Sequence, residues 1–257
     1  NATDPSDTAT QGDAVPGLGG PLFSTFIGET IDRFGFPLVR ATLAGPGVTR
    51  ADNEVLYSQS NGVIVRKGDE PEPVSEPGIR IARFLAFWPG GNNNVLFLVK
   101  RSGPGITRAN DCALYAWRGG EAGYVRILCE GDAVCGCDCP RLGTIQRVDM
   151  EPYFGRGCLV LASLTGVSRS SNQALFTADP NSAIQAFRKG SLALRKGSLY
   201  HSSAPVTTGI RSMTFHPSQD PNGAGGKGLG QAVNDYGGAA LILTFDNRAV
   251  EVVSGTP

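Results

Sequence analysis

The 257 residues suffice for one large domain or two small ones, and 35 glycines with only 18% charged residues describe a folded, turn-rich β protein. Lysine plus arginine equals aspartate plus glutamate at 23 each, so there is no basic footprint for nucleic acid or an anionic membrane. Only two histidines are present, His201 and His216, and no apolar run reaches 18 residues, which argues against His-based catalysis, His-rich metal sites and a membrane-spanning segment. The chain starts at Asn1, shows no signal-peptide pattern and carries six cysteines. It reads as a mature, exported product, extracellular or on a cell surface.

In chain order, the first feature is residues 1–20, polar and rich in Gly and Pro, a segment that frays unless another blade or subunit pins it. Strand-like runs follow at 37–43, 63–66, 95–99, 124–129, 158–164, 184–188 and 239–245, rich in Val, Leu, Ile and Phe between Gly, Asn and Asp. Self-similarity organises them. Residues 47–53 (GVTRADN) lead into Leu56-Tyr57, residues 105–111 (GITRAND) into Leu114-Tyr115, and residues 166–172 (GVSRSSN) into Leu175-Phe176. A second marker recurs at Gly12-Asp13, Gly68-Asp69, Gly131-Asp132 and Gly190-Ser191, where hairpin or blade-to-blade turns are expected.

The expected architecture is therefore a single all-β repeat domain over 1–257. It consists of tandem four-stranded repeats of about 55–63 residues, β-propeller-like with about four blades. Approximate repeats are 12–67, 68–130, 131–189 and 190–257, the first lacking its opening strand and the last abbreviated. Terminal strands then either complete one another in a ring or leave the ends open.

The repeated hydroxyls Thr49, Thr107 and Ser168, with Asn53, Asp111 and Asn172 four places on, have a structural use as turn residues whose side-chain oxygens accept from backbone N–H groups. Their functional counterpart is a rim on which Arg50, Arg108 and Arg169 face an acidic ligand. Cys112 and Cys129 flank a hairpin about residues 119–121, and a cross-strand disulfide between them is expected. Cys135, Cys137 and Cys139 have neither zinc-ribbon nor haem-attachment spacing; disulfides that include Cys158 are the plain reading and a thiolate metal site the sharper one.

Several motifs resemble chemistry without its context. Residues 223–228 match G-x-G-x-x-G, but a Pro- and Asn-rich stretch precedes them where a dinucleotide site needs a strand, and Gly228 stands where a P-loop needs Ser or Thr. No nucleophile elbow or H-E-x-x-H is present, and no cofactor is expected. Asn1-Ala2-Thr3 is a formal glycosylation acceptor.

Residues 234–241 (NDYGGAAL) resemble the N-x-x-G-x-x-A-F signature of a bacterial exported choice-of-anchor tandem-repeat family. The G-V-T-x-x-N/D loop before L-Y, the R-K-G-D turn at 66–69, residues 12–17 (GDAVPG) and the ending 249–253 are similar to the rest of that repeat. Residues 31–35, residues 92–94 and the cysteine-bearing insert depart from it. The resemblance implies export, a repeated β fold and cell-surface association, and it brings no catalytic residues.

The leading functional expectation is a non-catalytic extracellular structural protein that associates with itself, as a filament or layer, by strand exchange between subunits. The alternative is a closed propeller that binds a glycan or a surface protein through the arginines or through aromatics such as Trp88, Tyr115 and Trp117. Neither reading involves nucleic acid or membrane insertion. An enzyme is the weakest of the three classes, because nothing in the spacing of His201 and His216 assembles a triad.

Overall fold

Short Val- and Leu-rich segments between glycine-bearing turns fold into four antiparallel sheets of four strands each. Sheet I comprises β1 (Leu22–Ile31), β2 (Pro37–Ala44), β3 (Glu54–Ser58) and β4 (Gly62–Arg66). Sheet II comprises β5 (Arg80–Pro89), β6 (Asn94–Ser102), β7 (Cys112–Arg118) and β8 (Tyr124–Cys129). Sheet III holds β9 (Arg141–Met150), β10 (Cys158–Thr165), β11 (Gln173–Ala178) and β12 (Ser191–Arg195). Sheet IV holds β13 (Leu199–His201), β14 (Thr207–Thr214), β15 (Ala239–Phe245) and β16 (Val250–Gly255). Within each sheet the strands follow chain order, so every sheet is a simple meander. This computed structural model describes residues 9–32, 34–72, 74–90, 94–119, 124–134, 140–151, 157–178, 191–201, 207–216, 232–234 and 238–255. Among them no helix is long and apolar enough to cross a membrane.

The turn markers fix the register of the repeat. Gly12, Gly68 and Gly131 have φ of 92°, 91° and 88°. Each donates its N–H to the second residue of the strand that opens a sheet, Phe23, Ile81 or Leu142. Such φ values favour glycine, because a Cβ is strained there. The fourth member is Gly197, with φ 86° and its N–H on the Ile210 carbonyl, not Gly190. The sequence R-K-G-S occurs twice, at 188–191 and 195–198; the second copy makes this turn, and residues 188–190 lie outside the described residues. The closing strand of sheet III is accordingly β12, whereas the expected run 184–188 lies outside the described residues.

Two further expectations are corrected by this register. The first copy does not lack its opening strand, since β1 is present and ten residues long. By the same register β14 corresponds to β1, β5 and β9, so β15 and β16 are the second and third strands of the last copy. Among the described residues sheet IV has no strand beyond β16, and the short β13 extends the bridge that Ala14 and Ala133 make in two other copies.

Inward-facing residues stack the sheets in sequence. One core joins sheets I and II through Leu56, Ile64, Phe84 and Phe97, a second joins II and III through Leu114, Ile127, Ile145 and Val160, and a third joins III and IV through Leu161, Leu175, Met213 and Leu243. Polar ties reinforce two junctions: Tyr124 donates to the Ile64 carbonyl at 3.1 Å, and the Gln173 side chain accepts from the Met213 N–H at 2.9 Å. A fourth core belongs to sheet I alone, where Val15 and Leu18 lie over Phe23, Val39 and Tyr57. Among the described residues no core joins sheet IV to sheet I.

Candidate functional site

The repeated loops between the second and third strands are built as clamps. Thr49 and Thr107 donate their N–H groups to Asp52 and Asn110, each at 2.6 Å, three places on and not four. Asn53 and Asn172 instead accept from Lys67 and Lys196, at 3.0 and 3.4 Å. Beside them Arg66 and Arg195 donate to the carbonyls of Asp52 and Ser171, at 2.7 and 3.2 Å. The R-K pair at the end of a closing strand thus pins the loop of its own sheet.

Sheet II achieves the same contacts with different residues. Cys129 and Glu130 stand where Arg66-Lys67 and Arg195-Lys196 stand, and the basic pair has moved to Lys100-Arg101 on β6. Arg101 donates to the Asn110 carbonyl at 3.0 Å and to Cys129 Sγ at 2.8 Å, while Lys100 pairs with Asp111. The Arg101 side chain is 2% exposed and pairs with Glu76 from the loop that joins sheets I and II. Arg126 pairs with Glu76 and Glu72 at 2.6 and 3.2 Å, and Tyr115 donates to Glu72 at 3.3 Å. Burial raises Glu76, yet hydrogen bonding and charge from Arg126 and Arg101 outweigh it and hold the carboxyl below its ordinary value. This network staples the 70–79 loop.

The expected Cys112–Cys129 bridge does not form. In the described part of the hairpin the register at first matches expectation, with Trp117 opposite Tyr124, but a bulge at Ile127 of β8 then shifts it by one and places Ala113 opposite Cys129. A one-residue slip turns a side chain to the other face. Cys112 therefore enters the core between sheets II and III, and Cys129 the core between I and II. Burial pushes both thiols up to about 12, which keeps them protonated and unreactive at neutral pH. The Cys158 thiol is likewise buried between sheets II and III. Cys135, Cys137 and Cys139 lie outside the described residues, as do residues 223–228 and Asn1-Ala2-Thr3. No group of three or more His, Cys, Asp or Glu is arranged for a metal among the described residues.

Arg50, Arg108 and Arg169 are exposed at matching positions in the loops of sheets I, II and III. The aromatics expected as the alternative contact set do not form an exposed cluster. Tyr115 and Trp88 are buried, and Trp117 packs against the core between sheets I and II.

What distinguishes the molecule lies at the two ends of the sheet array. The second and third strands of every copy share one hydrogen bond, from Leu43 to Asn53, Arg101 to Asp111, Leu164 to Asn172 and Phe245 to Ala249. Counting three residues on aligns Leu56, Leu114, Leu175 and Val252. The leucines are 0%, 0% and 1% exposed because the next sheet covers them, whereas Val252 is 76% exposed. Ala240 is exposed and Ile242 half-buried, where sheet III has the buried Leu159 and Leu161. A hollow of about 480 Å³ at the same end is lined by Ala232, Asn234, Ala240, Ser254 and neighbouring small residues.

The opposite end is deficient in a matching way. Phe26 aligns with Phe84, Ile145 and Met213, which pack on the preceding sheet and are 1%, 8% and 3% exposed; Phe26 is 38% exposed, with Ile27 beside it at 39%. An uncovered tail face on sheet IV and a partly uncovered head face on sheet I thus carry the two halves of the junction made three times inside the chain. Sequence reasoning missed these faces, although the alignment of Val252 with the three leucines was available once the last copy was in register. Compared with known proteins, the chain matches no family model and no curated protein.

Proposed function

We propose that the chain is a non-catalytic extracellular or cell-surface structural subunit that assembles with copies of itself, the tail face of sheet IV seated on the head face of sheet I of the next copy. The observation that carries this reading is Val252, solvent-exposed at a position where three repeat counterparts are fully buried by a following sheet. Contact between two different faces of one molecule is heterologous, and a rotation that does not close generates an open filament. Apolar residues exposed together, such as Val250 and Val252 on β16, mark interaction surfaces in soluble proteins. The cell-surface setting rests on the family resemblance and on the cysteine content.

Negative-stain electron microscopy of the native chain tests the reading. Fibres or sheets with a regular repeat are expected; isolated compact particles at every concentration overturn it. A second reading, a module that binds a glycan or a surface protein, draws on the exposed Arg50, Arg108 and Arg169. Isolated particles would move the search to that rim.

A further inference from the structure

The tail of sheet IV is open at its edge as well as on its face. In sheets I, II and III the third strand is covered by a fourth, and β16 has none among the described residues. The repeat register identifies which residues have the fourth-strand spacing. β4 ends at Arg66, β8 at Cys129 and β12 at Arg195, each two residues before the marker glycine of the next sheet, Gly68, Gly131 or Gly197. Gly12 makes the same turn before sheet I, so the strand that precedes it in the repeat ends at Thr10.

Ala9 bears this out from the packing side. It aligns with Val65, Leu128 and Leu194, each of which contributes to the core against the following sheet. Ala9 packs on the sheet I core with Val15 and Leu18, as the last strand of a preceding sheet must. Ala9 and Thr10 therefore have the spacing of the end of a closing strand in a sheet that precedes sheet I, and among the described residues sheet IV is the sheet with that place open. In the same chain Val250 and Val252 of β16 are solvent-exposed.

Resting on the head-to-tail reading above, we infer that the segment ending at Ala9-Thr10 of one copy adds to β16 of the preceding copy as the fourth strand of its sheet IV, antiparallel, with Ala9 opposite Val252. The register follows from the three internal examples. Val65 lies opposite Leu56, Leu128 opposite Leu114 and Leu194 opposite Leu175, and each pair is followed by a bulge of one residue. Transferred to the junction, Thr10 faces Glu251 and Ala9 faces Val252. The added strand satisfies the outward N–H and C=O groups of β16, as β-strand addition does in peptide recognition. The polar makeup of residues 6–10 suits a strand at the outer margin of a sheet, where a charge such as Asp7 also discourages further pairing.

Cross-linking tests the register directly. Variants Ala9→Cys and Val252→Cys are prepared separately, mixed under assembly conditions and oxidised; both sites are exposed or half-buried, and the native chain oxidised alone is the control for Cys135, Cys137 and Cys139. A disulfide-linked dimer from the mixture, absent from either variant alone and from the native chain, is the expected result. If instead only the double variant cross-links, within one chain and at high dilution, the segment completes its own sheet IV and the inference fails. Fibres without the cross-link leave the head-to-tail reading standing and overturn the donor strand. Absence of both fibres and cross-link overturns the two together. A chain lacking residues 1–10 provides a second readout: it should stay monomeric and bind a synthetic peptide of residues 1–11 in equal proportion, and indifference to that peptide contradicts the assignment.

Discussion

Replacing Arg101 by Leu is expected to destabilise the protein by about 3 kcal/mol, roughly 6–12 °C in melting temperature for a domain of this size. Leucine fits the place sterically, since Leu43 and Leu164 occupy it in sheets I and III. The loss is electrostatic: the Asn110 carbonyl and Cys129 Sγ lose their donor, and Glu76 keeps only Arg126. Removing one partner of a buried ionic network costs more than the network itself contributes. The repeat also prescribes the rescue. Adding Cys129→Arg restores the arrangement of Arg66 and Arg195, in which the closing strand supplies the guanidinium, so the double variant should recover much of the loss. Thermal unfolding of the native chain, both single variants and the double variant measures the coupling. Acid has a related effect. Glu76 is held below its unfolded value, so its contribution is complete above the ordinary glutamate range and is lost as pH falls through the lowered value. The Arg101→Leu variant should show a smaller acid-induced loss of stability than the native chain.

Replacing Val252 by Arg should leave the monomer as stable as the native chain, within about 0.5 kcal/mol, and abolish assembly. The residue is 76% exposed, so the isolated chain tolerates a charge there. In the junction it takes the place of Leu56, Leu114 and Leu175, all dry, and burial of an unpaired guanidinium costs several kcal/mol. Junction affinity should fall on the order of 100-fold or more. Leu175→Arg, the same repeat position inside the chain, should instead unfold the protein, because sheet IV already covers it. Sedimentation of the two variants separates an exposed tail from a generally sensitive site. Assembly of the Val252→Arg chain at native concentrations contradicts the head-to-tail interface.

The repeat itself was legible in the sequence because glycine turns and the L-Y pair are local features, spaced by the chain's own geometry. The opening strands were not. β1 and β5 each carry two bulges, at Phe23/Thr25 and Phe26/Gly28 and at Ile81/Arg83 and Phe84/Ala86, and every bulge reverses the inside–outside alternation by which a strand is recognised. The same defect in β8, where Ile127 is the extra residue, sends Cys112 and Cys129 to opposite faces although Trp117 and Tyr124 pair as the sequence predicts. The start of the last copy is ambiguous in sequence because residues 188–191 and 195–198 are identical, and the hydrogen bond from Gly197 to Ile210 assigns the turn to the second of them. Arg101 was not legible at all: a basic residue ending a β run reads as solvated, and its burial arises from a loop 25 residues earlier in the chain.

Amide hydrogen exchange in β16, followed against protein concentration, tests the central claim most directly. The outward N–H groups of Val250–Gly255 exchange freely on an open edge and are protected once a strand from another copy bonds them. The account predicts protection of this segment that rises with concentration in the native chain and is absent from the Val252→Arg chain at every concentration. Protection that is full and unchanged on dilution means that the chain closes its own edge, and no protection at any concentration means that the edge stays empty; either result contradicts head-to-tail assembly through sheet IV.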